Sequence, residues 1–196
     1  MSFIRRLAAT TARQARIVPV PSGLLVALVA LFWLTAQMVL ADISRFVGDY
    51  SGQAELVNAD GSVSPRDLSV SIRETRRGFS VRWTTTTHKP GGRTKEVTYD
   101  ITFVPSDRPG VFAAAMKKNV FGHAVQMDPM KGEPYVWARI TGEMLTVFSL
   151  FVDSEGGYEL QQFDRSLVRG GLQLEFQRIT NGVKQRSTKA YLDKRE

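Results

Sequence analysis

The sequence predicts an all-β fold, a single antiparallel up-and-down barrel of about eight to ten strands. Three observations indicate it. No segment after residue 42 keeps a helical period over three turns. Instead, apolar and polar residues alternate, with turn signals at short intervals. No helical crossover separates neighbouring strands, so a barrel or a closed sandwich is favoured over a parallel sheet.

The first 41 residues are typical of a signal peptide. They contain four arginines and no acidic residue, and residues 23–40 form an uncharged apolar run. Val39 and Ala41 are small residues at the two positions that signal peptidase reads, so we expect cleavage after Ala41. An uncleaved anchor is the alternative, because residues 23–40 are just long enough to span a bilayer. Residues 1–41 are thus the predicted leader, and residues 42–196 the predicted barrel domain.

Charge and cysteine usage limit the compartment and the partners. The chain has 26 basic and 19 acidic residues among 196, and part of the excess lies in the leader. The absence of cysteine excludes disulfides, thiolate metal sites and covalent haem attachment. It also favours a bacterial over a eukaryotic secreted protein, and therefore export to the periplasm. We expect no nucleic-acid partner, and membrane contact only through the N-terminal segment.

The strands follow from the alternation in chain order. Apolar faces occur at Leu68 to Ile72, Phe79 to Trp83, Val97 to Phe103 and Leu172 to Phe176. Asn181-Gly182 is a two-residue hairpin signal before the last strand. We expect the following side chains to be buried: Val70, Ile72, Val81, Trp83, Tyr99, Ile101, Leu174 and Phe176.

Two segments depart from this pattern. Met144–Val152 is apolar on both faces, so its outer side is either covered by a loop or the N-terminal segment or docks a partner. Phe148 and Phe151 have opposite parity, and the one that faces outward is the predicted partner-binding residue. The pattern of residues 111–130 predicts a strand followed by a long loop. In a barrel, such a loop lies where a lid over the open end would be.

Gly48-Asp49-Tyr50 stands on the first strand of this meander. The motif resembles the one that opens the barrel in the lipocalin-like (calycin) β-barrel family, with Tyr in place of Trp. The resemblance implies that Tyr50 plugs the closed end and that a basic residue of the last strand, Lys184 or Arg186, packs over it. It implies the barrel architecture; no disulfide and no C-terminal helix accompany it here.

The predicted function is the binding of a small apolar ligand inside the barrel. Aromatic residues expected in the interior are the candidate ligand-binding residues: Trp83, Tyr99, Phe103 and Trp137. The same aromatic residues could instead fill the interior and leave no room for a ligand. The alternative function is then that of an interaction or accessory module, which docks a partner or a second copy through Met144–Val152. We expect no enzyme, metal or cofactor, because the two histidines, His88 and His123, match no catalytic or ligand pattern and no nucleophile elbow is present.

Overall fold

A computed structural model describes residues 42–57, 63–114, 117–118, 124–125 and 127–196. The predicted leader, with its cleavage after Ala41, lies outside the described residues and stays a prediction. Within these ranges, no helix is long and apolar enough to cross a bilayer.

The described residues are almost entirely β-structure. The strands are β1 Gly48–Val57, β2 Val63–Thr75, β3 Gly78–His88, β4 Thr94–Pro105, β5 Val111–Ala114, β6 Lys117–Lys118, β7 Ala124–Val125, β8 Tyr135–Thr141, β9 Met144–Val152, β10 Tyr158–Val168, β11 Gly171–Thr180 and β12 Val183–Arg195. Single 3-10 turns occur at Ser44–Phe46, Pro90–Gly92 and Pro129–Lys131.

Ten of these strands close into one antiparallel barrel in the order β1-β12-β11-β10-β9-β8-β5-β4-β3-β2, and β6 pairs with β7 separately. The predicted fold class is therefore confirmed. Closure is made by β1 against β12, where Tyr50 lies opposite Lys194 and Gly52 opposite Leu192.

Turn chemistry sets the register of the last hairpin. Asn181 and Gly182 have φ angles of 47° and 81°. Two consecutive positive φ values match the right-handed twist of the flanking strands, which is why Asn-Gly is favoured there. The predicted hairpin is confirmed, whereas the predicted turn at residues 58–61 lies outside the described residues.

One half of the barrel is solid. Phe79 lies between two other rings, with ring centroids 5.1 Å from Phe103 and 4.9 Å from Phe112. Phe46, from the 3-10 turn Ser44–Phe46, is fully buried and belongs to the same core. We call this half the closed end. The turns at residues 76–77, 106–110, 142–143 and 169–170 also lie there, whereas the turns at 89–93 and 181–182 lie at the opposite, open end.

The Gly48-Asp49-Tyr50 motif lies at the closed end, as the resemblance implied. The Tyr50 hydroxyl donates a hydrogen bond of 2.8 Å to the Phe46 carbonyl oxygen, and burial raises the pKa of this hydroxyl. Lys194 places its Nζ 5.8 Å from the Tyr50 ring centroid. The basic residue is therefore Lys194, and the expectation of Lys184 or Arg186 is wrong because β12 pairs with β1 through its last residues.

Burial agrees with the alternation on most strands and departs from it near the open end. Val70, Ile72, Val81, Trp83 and Ile101 are buried as expected. Leu174 and Phe176 are only half-buried, and Tyr99 is 51 % exposed. These three side chains lie where the barrel is hollow, so they have fewer packing neighbours than residues of the closed end.

Candidate functional site

The open half of the barrel encloses a cavity of about 470 Å³. Its walls come from β1, β2, β3 and β4 on one side and from β10, β11 and β12 on the other. Small-molecule sites in proteins have volumes of roughly 300–1,000 Å³. The barrel interior is therefore filled at one end and hollow at the other.

Trp83 forms the centre of the aromatic wall. It stacks on Tyr99 with ring centroids 5.0 Å apart and lies 5.4 Å from Phe163. Phe163 in turn lies 4.8 Å from Phe176. Together with Leu68, Val70 and Leu174, these rings give the cavity a mostly apolar lining.

Positive charge surrounds the mouth of this cavity. Lys89, Lys95, Arg66, Arg178 and Arg186 line it, and Glu55 is the one acidic residue among the described lining residues. Desolvation, together with the nearby Arg186 charge, lowers the pKa of Arg66. Arg178 has a carboxylate partner, with its Nε 3.4 Å from Oε1 of Glu159.

A further arginine lies deep inside the barrel. Arg165 of β10 is 1 % exposed and lines the cavity beside Trp83. Its Cζ lies 5.3 Å from the Trp83 ring centroid and 5.7 Å from that of Phe163. Burial lowers the pKa of Arg165 to about 10, so the side chain remains a cation at neutral pH.

Two of the four predicted ligand-binding residues line the cavity. Trp83 and Tyr99 do, whereas Phe103 and Trp137 do not. Phe103 shares the inner face of β4 with Tyr99 but lies four residues, or roughly 13 Å, nearer the closed end, where it is fully buried in the core. Phe103 therefore lies in the core and not in the cavity wall, and its role as a ligand contact stays an untested prediction.

Trp137 was also expected inside, and the structure places it outside. Its neighbours on β8, Val136 and Ala138, are buried in the interior, so Trp137 faces the outer surface. There it stacks on Phe148 of β9, with ring centroids 4.7 Å apart.

The two predicted partner-binding residues lie on opposite faces of β9. Phe148 faces outward beside Trp137, and Tyr135 and Tyr158 are exposed on the same outer face. We call Tyr135, Trp137, Phe148 and Tyr158 the outer aromatic patch. Phe151 shares the inward parity of Leu145 and Val147, but it is exposed at the open end. Docking of a partner on this patch stays a prediction, as does a lid formed by residues 111–130, part of which lies outside the described residues.

Sequence reasoning missed the residues that give the site its charge. Arg165 lies on the same face of its strand as the apolar residues Phe163 and Leu167. A cation at an apolar position of the alternating pattern was therefore the sequence signal for this residue. The arginines at the mouth of the cavity, Arg66, Arg178 and Arg186, gave no such sequence signal. Each lies near a strand end, where a solvent-exposed cation is common. Among the described residues, no cluster of three or more His, Asp or Glu side chains could hold a metal ion. His88 lies beside Asp67, whereas His123 is outside the described residues.

Comparisons with known proteins add little beyond the fold. No family model and no curated protein matches the sequence. Among solved structures, the chain is similar to the S-type phycobiliprotein lyase CPES from Guillardia theta, with a TM-score of 0.31 and 7 % identity, covering 79 % of this chain and 90 % of that one. The barrel implied by the lipocalin-like resemblance is present in the strand order, and membership in that family stays a prediction.

This comparison contradicts the expectation that the protein is not an enzyme. The structure to which the chain is similar is by its title a lyase, and therefore an enzyme. We withdraw the exclusion of catalysis. At a TM-score of 0.31, the likeness itself assigns no reaction to this chain.

Proposed function

We propose that this barrel binds a small molecule with an apolar body in the cavity of its open half. The observation that supports the proposal is the hollow of about 470 Å³ lined by Trp83, Tyr99, Phe163 and Phe176. Removing apolar surface from water yields roughly 25 cal/mol per Å². A ligand that covers these rings therefore gains affinity from burial without any rearrangement of the closed end.

Trp83 gives this proposal a direct readout. Titration with dodecanol, a neutral apolar probe, is expected to change the tryptophan fluorescence and to saturate at about one ligand per chain, as for a single cavity of this size. Trp83→Phe should abolish the response, because Trp83 lies in the cavity wall. Trp137→Phe is the matched control and should keep it, since Trp137 lies on the outer face. A flat titration in the folded protein would contradict the proposed function.

A second candidate function is docking of another protein chain, in the simplest case a second copy, on the outer aromatic patch. The observation that favours it is the Trp137–Phe148 stack on the outside of the barrel, with Tyr135 exposed beside it and Tyr158 exposed farther along the same outer face. Soluble proteins seldom leave large contiguous apolar patches uncovered. The four residues of the outer aromatic patch are all aromatic. The outer face of β4, in contrast, exposes the polar residues Thr98, Asp100 and Thr102.

Phe148→Asp tests this second candidate. The substitution places a charge in the outer aromatic patch while leaving the inner face of β9 unchanged, so we expect it to abolish association and to preserve the fold. Sedimentation velocity and co-purification report association, and circular dichroism reports the fold. Thr102→Asp, on the exposed outer face of β4, is the control. A wild-type protein that sediments as a monomer alone at every concentration, or a variant that unfolds, would exclude docking through this patch.

Export to the periplasm is part of the proposal and is supported by the sequence of residues 1–41 alone. A ligand in that compartment would be an extracytoplasmic small molecule.

A further inference from the structure

Arg165 is a buried cation with two nitrogen donors that are unused. It is 1 % exposed, and neither its Nε nor its Nη1 has a hydrogen-bond partner. An unpartnered buried donor costs free energy, and the cost is larger for a charged group. The described residues thus supply no partner for these two groups, and a bound ligand can provide one.

Within the described part of the chain, aromatic rings face Arg165, and the carboxylate that acts on its charge is that of the neighbouring Asp164. Trp83 and Phe163 face the guanidinium, and cation–π contacts offset part of its desolvation. The adjacent Asp164 lies on the outer face of β10, where its carboxylate accepts hydrogen bonds from Thr146 and Gln162. No ion pair links Arg165 to an acidic residue within the described part of the chain.

We propose that the ligand of this cavity is an organic acid, an apolar molecule with a carboxylate that binds the guanidinium of Arg165. The inference rests on the proposed function, since it specifies the ligand of the same cavity. A guanidinium is a planar fork that binds a carboxylate through two parallel N–H···O hydrogen bonds. Nε and Nη1 lie on different edges of the guanidinium, and each forms such a fork with Nη2, so either edge offers a carboxylate one free donor beside Nη2.

The rest of the cavity suits the same class of ligand. The apolar body covers Trp83, Tyr99 and Phe163, and the cationic mouth with Arg66 and Arg186 attracts an anion and repels a cation. A neutral apolar molecule would leave the buried guanidinium without a carboxylate to accept hydrogen bonds from Nε and Nη1. Water can accept hydrogen bonds from Arg165 but supplies no negative charge.

The experiment compares two ligands that differ only in the acid group. Isothermal titration calorimetry of the purified protein at pH 7 measures the affinities for dodecanoate and dodecanol. We expect dodecanoate to bind about 10- to 100-fold more tightly, the range typical of hydrogen bonds to charged groups. Arg165→Met should remove this preference and leave dodecanol binding unchanged. Arg82→Met, which removes an exposed arginine from β3, is the matched control and should keep the preference.

The outcomes separate the two proposals. If dodecanol binds and dodecanoate binds no more tightly, the organic-acid inference is wrong and the proposed function stands. A preference that survives in Arg165→Met also overturns the inference, because the acid group then binds elsewhere. If neither ligand binds, the proposed function fails. Should Arg165→Met not fold, the two-ligand comparison in the unmodified protein and in Arg165→Lys, which keeps the charge but loses the fork, decides the question.

Discussion

Phe103→Ala is expected to lower the free energy of unfolding by about 3–5 kcal/mol, the usual cost of truncating a buried phenylalanine. Phe103 is fully buried at the closed end, and its ring stacks on Phe79 with centroids 5.1 Å apart. Phe103 pairs with Phe79 of β3 on one side and with Ala114 of β5 on the other, so its backbone is held on both sides. The core therefore has little freedom to collapse into the space left by the ring.

Chemical denaturation followed by circular dichroism measures this loss. Thr102→Ala is the control, because Thr102 is exposed on the outer face of the same strand. The dodecanol affinity of the folded Phe103→Ala variant should equal that of the wild type, since Phe103 does not line the cavity. A weaker affinity at unchanged stability would identify Phe103 as a ligand contact.

Gly52→Ala is expected to destabilise the barrel by about 3 kcal/mol or more, at or beyond the upper end of the usual overpacking cost. A Cβ at Gly52 would lie 2.2 Å from the Tyr191 carbonyl oxygen and 3.2 Å from the Leu192 Cα. Both atoms belong to the backbone of β12, so relief requires moving the strand that closes the barrel against β1. Thermal and urea unfolding measure the effect.

Gly142→Ala separates crowding from backbone conformation. Gly142 has a φ of 58° in the turn between β8 and β9, and nothing lies within 4 Å of an added Cβ. Its substitution costs only the left-handed conformation of an L residue, roughly 1–2 kcal/mol. A cost for Gly52→Ala no larger than that for Gly142→Ala would contradict the close approach of β12 to Gly52.

Local alternation made much of the fold predictable. Side chains in a strand alternate between two faces, so Val70, Ile72, Val81 and Ile101 could be assigned to the interior from sequence alone. The partner of each strand end is a non-local property. Which residue of β12 lies over Tyr50 depends on how the barrel closes, and for that reason Lys194 was not identified.

The site was predictable only where one face of a strand was clearly apolar. Trp83 and Tyr99 lie on such faces. Trp137 does not, because the first half of β8 is apolar on both faces, and alternation alone then leaves open which face points inward. Arg165 contradicts the general exposure of cations, so an average residue preference predicts the opposite of what the structure shows.

The division of the barrel into a solid half and a hollow half has a consequence for its evolution. Substitutions in a tightly packed core are costly because neighbours cannot relax, whereas side chains around an empty space tolerate changes of size and shape. Residues such as Leu68, Thr85 and Thr188 border the hollow and are remote from the rings of Phe79 and Phe103. The size and shape of the hollow can therefore diverge among descendants of this chain while Phe46, Phe79 and Phe103 preserve a common, stable scaffold.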